Sequence, residues 1–600
     1  MAGKFISENN VKFLLYDVLD ILELTSYDYY QQHNRKMFDM VLAEALKLAK
    51  TKFYPTLEEM DRTEIELQDG RVIVHPAVRD IMQECGSGGW IGASFPEDEG
   101  GEQLPVVISN VIKYYFSAAN YSASAYPDLS AGAARLITSF GSRELIDAYV
   151  PPMLTGDWQG TMALTEPQAG SSLADIATTA TPIEGTTYSI QGQKVFISAG
   201  DHDAVDNVIH LLLARIDGAP AGVKGISLFV VPQKRYDPVR KLVDNDIKVS
   251  QIFHKMGYRG TPSTELVFGE KGVCQGFLVG EPHKGLMYMF QMMNEFRLGV
   301  AISATGIASA AYYASLEYTQ ERPQGRKTGK KDNSLPQVPI IEHADIKRML
   351  LFQRAVTEGS LSLLLQCSKY ADLEQLVSGE QKEHYALLLD LLTPIAKTYP
   401  SEMSIHSTSQ AVQCLGGYGY CDDFPVEQHY RDTRIHPIHE GTTGIQGMDL
   451  LGRKVIMKEG KALNLFIEEV VAAIEIAGKI ADLAPYADQL SRMLSQLRQV
   501  TDAKITQRDQ AGVETFLADA TLYLEYFGYI AIAWQWLLQA TTANKLLIDA
   551  KASKRPFYEG KIATFRYFFA YELPRAQGLA TRLLDPNEIT VSMASELFND

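Results

Sequence analysis

The sequence of 600 residues has few cysteines and no excess of positive charge. Its formal net charge is −17, with a pI near 5.3, which argues against a general nucleic-acid-binding protein. The cysteines show neither a CxxC pair nor the spacing of a zinc site, so we interpret them as reduced thiols. They are Cys85, Cys274, Cys367, Cys414 and Cys421.

A long uninterrupted hydrophobic run is also missing. The longest apolar stretch, residues 522–540, is interrupted by Glu525, Gln535 and Gln539, which favours a buried helix over a transmembrane one. The first residues, MAGKFISENNVKFLLYDVLDILEL, mix acidic residues into the apolar pattern and do not have the design of an export or transit peptide. We therefore expect a soluble, cytoplasmic protein without stable membrane insertion.

Length and composition instead indicate several folded domains. The chain exceeds one ordinary hydrophobic core, and 46% hydrophobic residues are enough to bury several. Helical spacing gives way to alternating, β-branched runs and then resumes near Lys284. The pattern predicts a mainly α protein with a central β domain: an N-terminal helical domain (1–160), a middle β domain (161–275), a C-terminal helical bundle (276–460) and an appended helical domain (461–600).

One segment places a single carboxylate on a short loop. In YRDTRIHPIHEGTTGIQGMDLLGR (residues 430–453), Glu440 lies between two basic, helix-like stretches. Gly441 lets the backbone turn, and Thr442 and Thr443 supply hydroxyl groups. Taken alone, an acidic residue before glycine also fits a solvated turn. The alternative is a positioned general base.

Two upstream segments fit a surface that binds a flat heteroaromatic ligand. In MALTEPQAGSS (residues 162–172), Thr165, Gly170 and Ser171 can offer N–H and hydroxyl donors. In YSIQGQKVFISAG (residues 188–200), Phe196 can stack on a ring and Ser198 can donate a hydrogen bond. Each segment alone is also compatible with an ordinary turn or strand.

In their order along the chain, these segments resemble the acyl-CoA dehydrogenase family. They are similar to its flavin loop LTEPxAGSD, its strand pair YxINGxKxWITNA and its active-site loop YRDxRIxxIYEGTxxIQ. Departures include Ser172 for Asp, Phe196 for Trp, Ser198 for Thr and His439 for Tyr. Further matches in the family's order are KMGYRGTPSTELVF (255–268), MMNEFRLGVA (292–301), YTQERPQGR (318–326, with Pro323 and a missing Phe as departures) and QCLGGYG (413–419).

The resemblance implies the family fold: an N-terminal helical domain, a middle β-barrel-like domain and a C-terminal four-helix bundle. It implies that Glu440 takes the α-proton of an acyl-CoA while the β-hydride passes to N5 of FAD, giving the trans-2-enoyl-CoA. Electrons would then pass to an electron-transferring flavoprotein. The implied FAD-binding residues are Thr165, Gly170, Ser171, Phe196, Ile197, Ser198, Arg322, Gln324, Gln413, Gly417, Thr442 and Gly444. The implied substrate-binding residues are Ser171, Asn294, Arg297 and Gly441.

The appended region resembles that of longer family members, such as the 3-methylmercaptopropionyl-CoA dehydrogenase group. There an extra helical domain takes the place of a second dimer, so a homodimer is expected.

Alternative functions are an acyl-CoA oxidase that uses oxygen and a non-catalytic flavin-binding scaffold. A DNA-associated paralogue is disfavoured by the acidic charge, and the intact Glu440 and flavin loops argue against the scaffold. The substrate is expected to be a short or medium acyl-CoA, including thioether or branched acyl groups.

A polar insert, residues 323–337, carries Arg326, Lys327, Lys330 and Lys331 against the one acidic Asp332. Its glycine, serine, asparagine and proline residues favour a solvated loop. The alternative is an electrostatic guide for the CoA phosphates or for an acidic electron acceptor.

Overall fold

The computed structural model describes residues 3–237, 239, 241–327, 329 and 334–599, without the side chains at positions 291 and 293. Lys330, Lys331 and Asp332 of the insert therefore lie outside the described residues. The chain forms two compact units. One comprises Lys36–Phe296, and the other comprises Met1–Arg35 together with Arg297–Asp600.

Capping side chains mark several starts among the N-terminal helices. The Asn120 side chain accepts a hydrogen bond from the Ala123 N–H at 3.1 Å, and Ser142 accepts one from the Leu145 N–H at 3.4 Å. Each cap satisfies a backbone donor that the first helical turn leaves open. The helices are α1 (Glu8–Lys12), α2 (Arg35–Leu48), α3 (Leu57–Arg62), α4 (Ala77–Ser87), α5 (Val106–Ala119), α6 (Tyr121–Phe140) and α7 (Arg143–Leu154).

A short hairpin interrupts this helical region, where sequence periodicity predicted helix alone. Strands β1 (Glu66–Gln68) and β2 (Arg71–Ile73) pair in antiparallel fashion. The turn residues Asp69 and Gly70 have φ values of 50° and 81°. An Asp-Gly pair adopts such left-handed conformations readily, and its turn matches the twist of a hairpin.

The middle of the chain forms strands, which are β3 (Trp158–Ala163), β4 (Thr179–Glu184), β5 (Thr187–Ser198), β6 (Asn207–Ile216), β7 (Ile226–Pro232), β8 (Lys234–Asp237), β9 (Lys241–Asp244), β10 (Ile247–Ile252), β11 (Ser263–Phe268) and β12 (Cys274–Leu278). Eight of these strands form one sheet with the order β10-β11-β5-β12-β7-β6-β3, in which β4 also pairs with β5 and β6. Pairing is parallel for β3 with β6 and for β4 with β6. Strands β8 and β9 form a separate hairpin.

Long helices follow the sheet. They are α8 (Gly285–Glu321), α9 (Ala344–Leu376) and α10 (Gly379–Leu415), and the short helices α11 (Val426–Thr433) and α12 (Thr443–Asp449) come after them. Helix α10 includes Pro394 and Pro400. Because proline lacks a backbone N–H, both positions interrupt the regular helical hydrogen bonding.

The C-terminal region is helical and packs around α16 (Ala520–Ile548), the helix that contains the apolar stretch noted above. Trp534 and Trp536 are among its fully buried side chains, and the Trp536 indole N–H donates to the Ala355 carbonyl of α9 at 3.1 Å. Across the described ranges, we find no helix with both the length and the apolarity of a membrane span. The helices are α13 (Lys461–Ala477), α14 (Ala484–Ala511), α15 (Val513–Ala518), α16 (Ala520–Ile548), α17 (Arg555–Tyr567), α18 (Arg575–Leu584) and α19 (Ile589–Ser592).

Candidate active site

Glu440 lies on the tight loop between α11 and α12. Its φ is 51°, and that of the following Gly441 is 87°. Glycine adopts the left-handed region at little cost, but a residue with a Cβ is strained there. Such strain persists where surrounding contacts hold the backbone, and it is found often at functional positions.

A buried lysine supplies two of those contacts. Lys397 of α10 has no exposed surface, and its Nζ donates to the carbonyl oxygens of His436 at 2.7 Å and Gly441 at 2.9 Å. Burial lowers the pKa of Lys397 to about 8, and the nearby charges act in both directions. The Glu440 and Glu402 charges raise the pKa, and the Arg297 charge lowers it. The ammonium is therefore charged at neutral pH.

Helix α12 adds a second set of contacts to the same loop. The buried Gln446 donates through Nε2 to the Glu440 carbonyl at 3.2 Å and to the Gly441 carbonyl at 3.5 Å. Thr442 caps the helix by accepting from the Ile445 N–H at 3.4 Å. Gly444 lies in the first turn of α12. The loop is therefore held from α10 on one side and from α12 on the other.

Arg297, an expected CoA contact, is buried in α8. One of its terminal N–H groups donates to Asp449 at 3.0 Å, and Asp449 also pairs with Arg453 at 2.6 Å. The Arg297 Nε is buried and has no hydrogen-bond partner among the described residues. The other expected substrate residue of this helix, Asn294, is half-buried and belongs to the unit that ends at Phe296.

The two motifs expected to meet FAD of a neighbouring subunit come together. Arg322, exposed just after α8, lies over the Tyr418 ring with 6.0 Å between the guanidinium carbon and the ring centroid. Tyr418 belongs to the turn after α10 that includes the exposed Gly417, and Gln413 is exposed one turn earlier. Gln324 lies at the base of the insert, where its N–H donates to the Val338 carbonyl at 3.0 Å.

In the other unit, the loop after β3 carries Thr165, Gly170 and Ser171. Gly170 and Ser171 are exposed. A Cβ added at Gly170 would have the Thr165 Cγ2 at 3.8 Å as its nearest neighbour, so this face of the loop is open.

The loop is attached to the sheet through a buried ion pair. The Glu166 carboxylate accepts from Lys194 Nζ at 2.8 Å and from the backbone N–H groups of Ala177 at 2.6 Å and Thr178 at 3.1 Å. Lys194, fully buried in β5, also donates to the carbonyls of Leu164 at 3.1 Å and Leu213 at 2.8 Å. Both charged groups therefore have several partners inside the protein.

Phe196 projects from a β-bulge at the end of β5. The pairing of β5 with β11 shifts by one residue between Lys194 and Ile197, and Phe196 has a φ of 60°. Bulges redirect side chains near functional sites. The Phe196 side chain is 61% exposed and contacts the Phe253 ring at a centroid distance of 4.6 Å. Ile197 beside it is buried, and Ser198 is half-buried.

Sequence reasoning missed the residues that hold these loops: Lys397, Gln446, Glu166 and Lys194. Glu166, Lys194 and Gln446 lie inside the motifs of the sequence analysis, so their positions could have been considered as candidates. Lys397 could also have been considered, because it lies between prolines in the apolar segment TPIAKTYP and a buried lysine needs a partner.

Comparison with known proteins covers most of the chain. Four family models match: acyl-CoA dehydrogenase N-terminal domain (residues 37–157), middle domain (161–270) and C-terminal domain (283–455), and acetyl-CoA dehydrogenase C-terminal like (466–594). A 3-methylmercaptopropionyl-CoA dehydrogenase of Ruegeria pomeroyi is 34% identical over 87% of this chain and 88% of its own. A butyryl-CoA dehydrogenase of Syntrophomonas wolfei is 32% identical over 98% of both chains.

A solved structure shows that the fold extends through the appended region. Caenorhabditis elegans ACDH-11, solved in complex with C11-CoA, superposes with a TM-score of 0.75 over 96% of this chain and 92% of its own, at 20% identity. The chain belongs to the acyl-CoA dehydrogenase family and is an oxidoreductase of that type. The expected fold class and the likeness to the long form with an extra C-terminal domain are confirmed.

Proposed function

We propose that this protein is an FAD-dependent dehydrogenase that forms the trans-2-enoyl-CoA from an acyl-CoA thioester, with Glu440 as the base. The observation that carries the proposal is the position of Glu440 on a clamped, left-handed loop, within the segment that resembles the family's active-site loop. An electron-transferring flavoprotein is the proposed acceptor, and the assembly is proposed to be a homodimer.

The residues proposed for FAD have suitable chemistry. Phe196 presents a largely exposed aromatic face, and the half-buried Ser198 provides a hydroxyl group two residues away. The exposed Gly170 and Ser171 can donate from a loop with an open face. Arg322 is exposed and has the planar donor fork that suits a diphosphate. When bound, FAD supplies the acceptor for the β-hydride.

The Glu440 carboxylate is proposed to remove the α-proton. This proton is weakly acidic, so its removal requires a positioned base and stabilisation of the negative charge that develops on the thioester oxygen. The Glu440 backbone N–H is the proposed donor to that oxygen from this chain. Fixing the loop before substrate arrives lowers the entropic cost of reaching this arrangement.

Replacing Glu440 with glutamine tests the proposal, because Glu440→Gln removes the base with little change in shape. The variant should retain FAD and bind acyl-CoA but lose most of its anaerobic flavin reduction. Flavin reduction by butyryl-CoA or its best homologue at the wild-type rate would contradict the assignment.

The acyl group is proposed to be short or medium in length, including thioether and branched groups. Initial rates across a series from short to very long acyl-CoA would test this preference, which is wrong if the longest chains react fastest. Reoxidation by an electron-transferring flavoprotein compared with air distinguishes the dehydrogenase from an acyl-CoA oxidase.

A further inference from the structure

Lys397 bonds the backbone on both sides of Glu440. Its acceptor at His436 lies four residues before Glu440, and its acceptor at Gly441 lies one residue after it. A single side chain of α10 therefore spans the segment that carries the proposed base. Both hydrogen bonds come from a charged donor, and such bonds are about twice as strong as neutral ones.

The conformation of this segment requires such support. Glu440 and Gly441 are consecutive left-handed residues, with φ values of 51° and 87°. A residue that carries a Cβ is strained in the left-handed region unless its surroundings compensate. The Gln446 contacts at 3.2 and 3.5 Å come from a neutral donor and are longer than those of Lys397. Lys397 thus provides the stronger restraint.

The location of Lys397 in α10 makes the restraint rigid. Pro394 and Pro400 flank it within the helix, and the Ser401 hydroxyl donates to the Lys397 carbonyl at 2.6 Å. A lysine side chain loses conformational entropy on burial, and Lys397 loses it when the protein folds, before substrate binds. Substrate therefore meets a loop that is already ordered.

We propose that Lys397 is a positioning residue for the α-proton transfer, which it serves by holding the Glu440–Gly441 backbone in its left-handed conformation. The proposal rests on the proposed role of Glu440 as the base. Lys397 exchanges no proton with substrate. Its loss should affect the step that depends on the placement of the carboxylate and leave the binding of FAD and CoA intact.

The test replaces Lys397 with methionine, which is of similar length but has no ammonium. In Lys397→Met, the limiting rate of flavin reduction by butyryl-CoA should fall about 10- to 100-fold, as expected for a base displaced by up to about 1 Å. The KM for butyryl-CoA and the FAD content should remain within about twofold of wild type, since the variant retains its binding groups.

A second measurement isolates the base. Methylthioacetyl-CoA has sulfur in place of the β-carbon and so has no β-hydride to transfer. Exchange of its α-protons with D2O, followed by NMR, should slow in Lys397→Met by a factor similar to that of flavin reduction. A fault confined to hydride transfer would leave this exchange at the wild-type rate and would overturn the proposal.

Lys504→Met is the matched control. Lys504 of α14 is 1% exposed, and its Nζ lies 3.8 Å from Asp519. Asp519 keeps Arg582 as a partner at 3.0 Å in this variant. Both variants lose a buried ammonium, but only Lys397 bonds the Glu440 loop, so Lys504→Met should exchange and reduce at wild-type rates.

Gln446→Met is the second test of the restraint on the Glu440 loop, for use if Lys397→Met does not fold. It removes a weaker contact to the same loop, and α-proton exchange should fall about 3- to 10-fold, within the range expected for a small misplacement. Wild-type exchange in a folded Lys397→Met, or in Gln446→Met where the first does not fold, overturns the inference. If Glu440→Gln is inactive in the same assay, the proposed function survives that outcome, whereas a fully active Glu440→Gln would overturn both.

Discussion

Removal of the carboxylate that attaches the proposed flavin loop to the sheet should destabilise the Lys36–Phe296 unit strongly. In Glu166→Gln, Lys194 keeps its carbonyl partners at Leu164 and Leu213 but loses its counter-charge. The side chains of both members of the pair are almost fully buried, at 0% and 2% exposure. A charged lysine would then remain inside the protein without a compensating carboxylate.

The expected cost is about 3–5 kcal/mol, the usual effect of removing one partner of a buried ion pair. Part of it should be recovered in the double variant Glu166→Gln/Lys194→Met, which leaves no unpaired buried charge. A coupling energy of at least about 2 kcal/mol between the two positions is therefore expected in a double-mutant cycle.

The penalty should also depend on pH. Burial lowers the pKa of Lys194 to about 8, and the Glu166 charge opposes that shift. Without Glu166 the folded-state pKa of Lys194 falls further, whereas the unfolded lysine keeps its ordinary pKa near 10.4. Between the two values the unfolded chain binds more protons, so the free energy of unfolding rises with pH. This rise begins at a lower pH in the variant than in wild type, so the stability deficit of the variant should shrink as the pH rises towards 8.

Urea unfolding followed by fluorescence and circular dichroism measures these differences, and Glu184→Gln, an exposed carboxylate at the end of β4, is the control. Flavin retention after gel filtration reports on the loop itself. The reasoning is refuted if the free energy of unfolding of Glu166→Gln lies less than about 1 kcal/mol below that of wild type, or equals that of Glu184→Gln. Either result would mean that Lys194 is not left as an uncompensated buried charge.

Two further predictions concern the unit that comprises Met1–Arg35 and Arg297–Asp600. Arg322→Ala should lose flavin and weaken the dimer together, because one side chain is proposed to serve both; a variant that stays yellow on dilution and elutes unchanged would contradict this. Neutralising Arg326, Lys327, Lys330 and Lys331 should raise the KM for acyl-CoA or for the acceptor at low salt and leave single-turnover reduction intact. Of the described cations, Lys327 pairs with Glu342 at 3.1 Å, and Arg326 donates to the Leu335 carbonyl at 2.7 Å.

Local patterns predicted much of the architecture. Alternation of apolar residues indicated the central strands, and helical spacing indicated the segments on either side, because each pattern follows from how one element buries one face. The apolar stretch interrupted by glutamines was predicted to be a buried helix, and α16 buries both Gln535 and Gln539. The β1–β2 hairpin was missed, although the Asp69–Gly70 pair carried a local signal for it.

The order of the motifs was also sufficient to recognise the family and to select the candidate residues. Each motif is short and contiguous, and its residue types are those that a base or a flavin contact requires. The proposed roles of Glu440, Phe196 and the loop after β3 therefore come from the sequence and remain predictions for experiment.

Only the tertiary structure revealed what holds these groups in place. Lys397 lies 43 residues before Glu440 by their sequence numbers, and Lys194 lies 28 residues from Glu166. A sequence does not specify which distant carbonyl or carboxylate a buried lysine will meet, because that depends on how helices and strands pack. Likewise, the left-handed backbone of Glu440 and the bulge that exposes Phe196 arise from contacts with α10, α12 and β11. The sequence thus determined the chemistry that is present, and the packing determined its geometry.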